Sequence, residues 1–114
     1  MEIFTLSSNP FKFGGTHDII KTTVEEYERV NLGAGFYGIL VKNTVKDLYH
    51  LAEERSGALV GAGPSKEDLI GRVKSDILNG DRTFMLKQVE DNMGMLAQAE
   101  SLPNDEFFRR FKGK

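Results

Sequence analysis

At 114 residues, with a formal charge of −2 and no cysteine, the chain has the length of one domain and excludes disulfide frameworks and thiolate metal sites. Hydrophobic residues make up 39% and charged residues of both signs 28%, which predicts a folded chain with a modest core rather than wholesale disorder. The slight acidity argues against a surface built throughout for polyanions, although Arg109, Arg110, Lys112 and Lys114 make the C-terminal segment locally positive.

Taken in chain order, residues 1–15 read as an extended arm or a short hairpin. Ile3, Phe4 and Leu6 are followed by the turn signal Ser7-Ser8-Asn9-Pro10 and by Phe11-Lys12-Phe13 before Gly14-Gly15. Thr16 to Val30 predicts a helix, with Ile20, Val24 and Tyr27 on one face and Glu25, Glu26, Glu28 and Arg29 elsewhere; a later start at Thr22 or Thr23 would turn Asp18–Lys21 into a strand. Phe36 to Val41 is an apolar run that fits a buried strand, yet Tyr37, Val41, Val45, Leu48 and Ala52 keep helical spacing, and the continuous helix is the expectation adopted.

Residues 56–64 form a glycine-rich connector. Ser65 then caps a helix with the stripe Leu69, Ile70, Val73, Ile77, closed by Asn79-Gly80. Asp81 caps the next, with Leu86, Val89, Met93 and Leu96 along one face, and Leu102-Pro103 ends it before a last short helix from Asn104 or Asp105. The expected fold is therefore mainly α: a single domain over 1–114, with an arm or short hairpin over 1–15, a helical body over 16–103 and a basic, aromatic terminal helix over 104–114. An α+β fold with a strand at 36–41 is the alternative.

Motifs that could carry chemistry are incomplete. Gly33-Ala34-Gly35-Phe36-Tyr37-Gly38 matches the dinucleotide fingerprint literally, but the preceding segment Val24 to Leu32 reads as helix rather than strand and the chain is too short for a doubly wound sheet, so it reads as a connecting loop. Gly57 to Lys66 fails the P-loop pattern because Pro64-Ser65 separates the last glycine from the lysine. Asp47, His50 and Glu54 would share a helical face, but a bundle metal site needs a second carboxylate–histidine pair, and His17 is the only other histidine. No nucleophile elbow is present. The expectation is a non-enzyme without metal or cofactor.

The aromatic ends are the most informative feature. Phe107, Phe108 and Phe111 are interleaved with Arg109 and Arg110, and Phe4, Phe11 and Phe13 occupy the opposite end. These eight residues are the candidate partner-binding set, with phenylalanines as anchors and arginines at the rim. The function expected is a non-catalytic interaction or assembly protein (structural subunit, adaptor or inhibitor, with a virus-encoded origin in keeping) whose partner is another protein or copies of itself. A small nucleic-acid-associated regulator, built on a helix–turn–helix outline (the helix Ser65 to Leu78, the Asn79-Gly80 turn and the helix from Asp81, with Arg82 in its first turn), and a small-ligand binder are the alternatives. No segment reaches the roughly 20 apolar residues of a membrane span. Met1-Glu2-Ile3-Phe4 lacks the character of a secretory signal, so a cytoplasmic location, or one within a virion assembly, is expected.

Overall fold

Ile20, Thr22 and Val24 are buried while Thr23 between them is exposed, the two-residue period of a strand with one covered face. In the computed structural model, which describes residues 1–8 and 17–110, β1 (Glu2–Ser8) and β2 (His17–Thr23) pair antiparallel, Glu2 opposite Thr23 and Phe4 opposite Lys21. An antiparallel meander follows in sequence order: β3 (Glu28–Gly33), β4 (Phe36–Lys42), β5 (Tyr49–Glu53) and β6 (Leu59–Gly63). Then come α1 (Lys66–Asn79) and α2 (Arg82–Ala97), the short β7 (Glu100–Ser101) lying parallel to β2, and α3 (Asn104–Arg110).

The mainly helical expectation is overturned. Among the described residues there are seven strands in two sheets and three helices, an α+β fold. The helix expected over Thr16–Val30 is replaced by β2 and β3, where the β-branched run Ile19-Ile20-Lys21-Thr22-Thr23-Val24 favours extended backbone. The helix expected from Tyr37 to Ala52 is replaced by β4 and β5, in agreement with the alternative strand at 36–41. The connector expected over 56–64 contains β6. The helices expected from Ser65 and Asp81 are present with those caps: Ser65 Oγ accepts from the Asp68 amide at 3.3 Å and Asp81 Oδ1 from the Phe84 amide at 3.0 Å. The terminal helix begins at Asn104 as expected.

Why Phe36–Val41 is apolar without interruption follows from the layering. The four-stranded sheet is covered on both sides, so alternate residues serve different cores. Leu40 and Leu51 pack with Leu69 and Val73 of α1 and Val89 of α2. Ile39, Val41 and Ala52 face the other way, against Ile3 and Ile20 of the first hairpin and Phe107 and Phe108 of α3. The two sheets meet where the Phe4 amide donates to the Gly57 carbonyl oxygen at 2.9 Å.

Two turns hold this arrangement in register. Ala34 and Gly35 (φ 53° and 82°) form the two-residue connection between β3 and β4, both left-handed as a primed turn requires. Between β5 and β6, the buried Glu53 carboxylate accepts from the amides of Arg55 and Ser56 and from the Ser56 hydroxyl, at 2.8–2.9 Å. Gly57 ends that turn at φ +76°, and a Cβ there would lie 2.3 Å from the Glu2 carbonyl oxygen. Gly57→Ala is expected to lower the unfolding free energy measured in urea by more than the about 1–2 kcal/mol of a left-handed L-residue, since it must also push β1 away. Ala34→Gly, which removes a Cβ from the same backbone region, is expected to raise stability by about 0.5–1 kcal/mol in the same measurement.

Candidate functional site

An open cleft of about 960 Å³ lies where the end of the meander, the β2–β3 loop and α3 converge. Val24, Leu40, Val41 and Phe108 are among its lining residues, but all four are buried and expose little apolar surface. Its rim is charged and aromatic. Glu25, Glu26 and Tyr27 come from the β2–β3 loop, Glu28 opens β3, Lys42 ends β4, Lys66 begins α1 and Tyr49 begins β5. Lys66 Nζ stands 4.0 Å from Glu28 and Lys42 Nζ 4.0 Å from Asp47, with Lys42 also 5.6 Å above the Tyr49 ring. Glu25 and Glu26 have no ion-pair partner among the described residues, and Tyr27 is 47% exposed. Among the described residues, the rim therefore carries a net negative charge beside an accessible aromatic ring.

The wall contributed by α3 is held from three sides. Thr22 of β2 donates its hydroxyl to the Leu102 carbonyl oxygen at 2.8 Å and lies 2.6 Å from the Asn104 amide oxygen. Thr44 donates to Asp105 at 3.2 Å. Deeper in, buried Asn43 accepts with Oδ1 from the Val45 and Lys46 amides (2.7 and 2.8 Å), while its Nδ2 donates to His50 Nε2 (3.0 Å) and the Phe108 carbonyl oxygen (3.4 Å). The His50 ring is fully buried and stacks on Phe108, centroids 5.5 Å apart. Burial, and secondarily the charge of Lys46, lower its pKa from 6.5 to about 4.

The residues expected to bind a partner are distributed differently from the sequence picture. Phe4, Phe107 and Phe108 lie inside the protomer, at 3%, 0% and 1% exposure, and Phe107 and Phe108 meet edge-to-face. Arg109 and Arg110 are exposed and both bond to Glu106, whose carboxyl is held below its ordinary range first by the Arg109 hydrogen bond. Phe11, Phe13 and Phe111 lie outside the described residues. Of the five that lie among the described residues, only Phe108 borders the cleft.

The other motifs resolve into structural roles. The Gly33–Gly38 segment is the β3–β4 turn and the start of β4, and its carbonyls are taken by two guanidinium groups: Arg82 donates to the Ala34 oxygen at 3.2 Å and Arg55 to the Gly35 oxygen at 3.0 Å. Arg82, the first-turn cation of the helix–turn–helix outline, is thus engaged within the chain. Asp47, His50 and Glu54 are not gathered: Asp47 is almost fully exposed, His50 is buried, and Glu54 forms a two-pronged pair with Arg29, which lies 3.7 Å over the Tyr37 ring. No group of three metal-ligating side chains occurs among the described residues, and none of their helices is long and apolar enough to cross a membrane. A smaller groove of about 210 Å³, lined by Phe36, Val60, Ile77 and Met85, runs between the meander and the helical pair and has a largely apolar lining.

Comparison with protein-family models, curated proteins and solved structures gives no match to this chain. The site is therefore read from its own chemistry.

Sequence reasoning missed the cleft because it assigned Glu25, Glu26 and Glu28 to the polar face of a helix. Asn43 was visible only as the residue that ends an apolar run. Its replacement tests the network: Asn43→Ala strips the acceptor from two turn amides and the donor from His50 and Phe108. An expected loss of about 2–3 kcal/mol in denaturant unfolding follows from leaving buried polar groups unsatisfied.

Proposed function

We propose that the chain is a non-catalytic interaction protein that seats a segment of another polypeptide in the cleft between the β2–β3 loop and α3. The observation that carries this reading is the coincidence of an open cleft of about 960 Å³ with a rim on which Glu25 and Glu26 have no ion-pair partner among the described residues and Tyr27 is half-exposed. Basic side chains of the partner would meet the two glutamates, and the segment would lie against the Tyr27 ring, which offers a broad face of little conformational cost.

The same charge makes nucleic acid the poorer occupant, since phosphates would meet the acidic loop while Arg109 and Arg110 are already shared with Glu106. Partner contacts expected of Phe11, Phe13 and Phe111 concern residues outside the described ones and add to this reading without carrying it.

The test is peptide selection from a random library on the immobilised chain at pH 7, followed by titration of the isotope-labelled chain with a recovered peptide. The expected peptides carry Lys or Arg and shift the amides of residues 24–28, 42–44 and 104–108. Combining Glu25→Lys with Glu26→Lys is expected to weaken binding about tenfold while the unfolding midpoint stays in place. Binding that maps elsewhere, or that ignores the charge reversal, overturns the proposal.

A further inference from the structure

The α3 wall of the cleft is fixed by an amide whose orientation the backbone dictates. Because Asn43 Oδ1 accepts from the Val45 and Lys46 amides, the group turned toward His50 must be the NH₂. An NH₂ only donates, so His50 Nε2, 3.0 Å away, has to present a lone pair. The imidazole is accordingly neutral, with its proton on Nδ1. A second proton would set donor against donor in a ring that is fully buried and stacked on Phe108.

Among the described residues, the surroundings oppose that proton further. Lys46, on the β4–β5 turn, has the same sign as an imidazolium. Beside His50 in the sheet register stand Val41 of β4 and Ala62 of β6, and the first hairpin brings Ile3, Ile20 and Val24 to the same core, its Lys21 being paired with Glu2. The carboxylates of α3 are committed elsewhere, Asp105 to Thr44 and Glu106 to Arg109 and Arg110.

We propose that protonation of His50 loosens α3 from the sheet and weakens one wall of the cleft, so that the binding surface is intact in neutral solution and destabilised in mild acid. The loosening of α3 stands on the Asn43–His50–Phe108 geometry; its consequence for binding rests on the cleft being the docking site. The direction follows from linkage. The docked imidazole titrates near 4 and a released one near 6.5, so docking is fully supported above 6.5 and weakens as the pH falls toward 4.

Amide exchange of the full chain, expressed as protection factors to remove the intrinsic pH dependence, tests this at pH 7 and pH 5. Protection at Phe107 and Phe108 is expected to fall about twentyfold at the lower pH while Ile39 and Leu51 stay protected. His50→Gln keeps an oxygen to accept from Asn43 but cannot titrate, and is expected to abolish the change. Unaltered α3 protection, an equal loss in His50→Gln, or simultaneous loss at Ile39 and Leu51 overturns the proposal. Should His50→Gln fail to fold, nitrogen shifts of the wild-type ring decide: Nε2 is expected to be unprotonated at pH 7 and to gain its proton in step with α3 loosening, and a proton gained without loosening overturns the proposal. Peptide binding, read separately at pH 7, distinguishes failure of the docking reading from failure of the latch.

Discussion

Consecutive residues on β4 and β5 point in opposite directions, and both directions are buried. Leu40 and Leu51 belong to the core under the helical pair, whereas Val41, His50, Ile39 and Ala52 belong to the core shared by the first hairpin and α3. A slip of one residue would carry the imidazole of His50 into the apolar layer beneath α1 and turn Leu51 toward Asn43, exchanging every contact of both cores at once. Register is therefore the constraint on which the other layers rest. The short turn at Ala34-Gly35 and the carboxylate-capped turn ending at Gly57 enforce it from either side of the strand pair.

The cleft is a product of the same arrangement. The sheet's second face is longer than the first hairpin can cover, and α3 closes part of the remainder through Phe107 and Phe108. What stays open lies between that helix and the β2–β3 loop, whose residues need no regular hydrogen bonding and so can carry two adjacent glutamates and a half-exposed tyrosine. Buried polar groups appear where the layers meet: Thr22 against the entry to α3, Asn43 and His50 behind it. Each bonds a group on another element, which ties the rim of the cleft to the core.

Some of this was legible in the sequence. Ser65 and Asp81 announced α1 and α2 because a capping side chain followed by an apolar stripe is a local signal, independent of the rest of the fold. Leu102-Pro103 before Asn104 marked the start of α3 for the same reason. The strands were obscured by nonlocal facts. Phe36–Val41 lost its alternation because both of its faces are covered, leaving a run that fits helix and strand alike. Ile20, Thr22 and Val24 did alternate, but the helical spacing of Ile20, Val24 and Tyr27 was chosen over it. The aromatic ends were correctly seen as needing cover, yet for Phe4, Phe107 and Phe108 that cover is the chain itself. Nothing local in the sequence brings residue 4 beside residue 57 or residue 22 beside residue 102.

Those distant pairings set an order of events during synthesis. Thr22 must wait for Leu102 and Asn104, eighty and more positions later, before its hydroxyl finds the acceptors described above. Until the C-terminal segment emerges from the ribosome, the hairpin carrying Ile3 and Ile20 and the meander carrying Ile39 and Val41 lack the Phe107 and Phe108 rings that complete their shared core. The nascent chain thus carries one apolar seam open until Phe107 and Phe108 have been added to seal it.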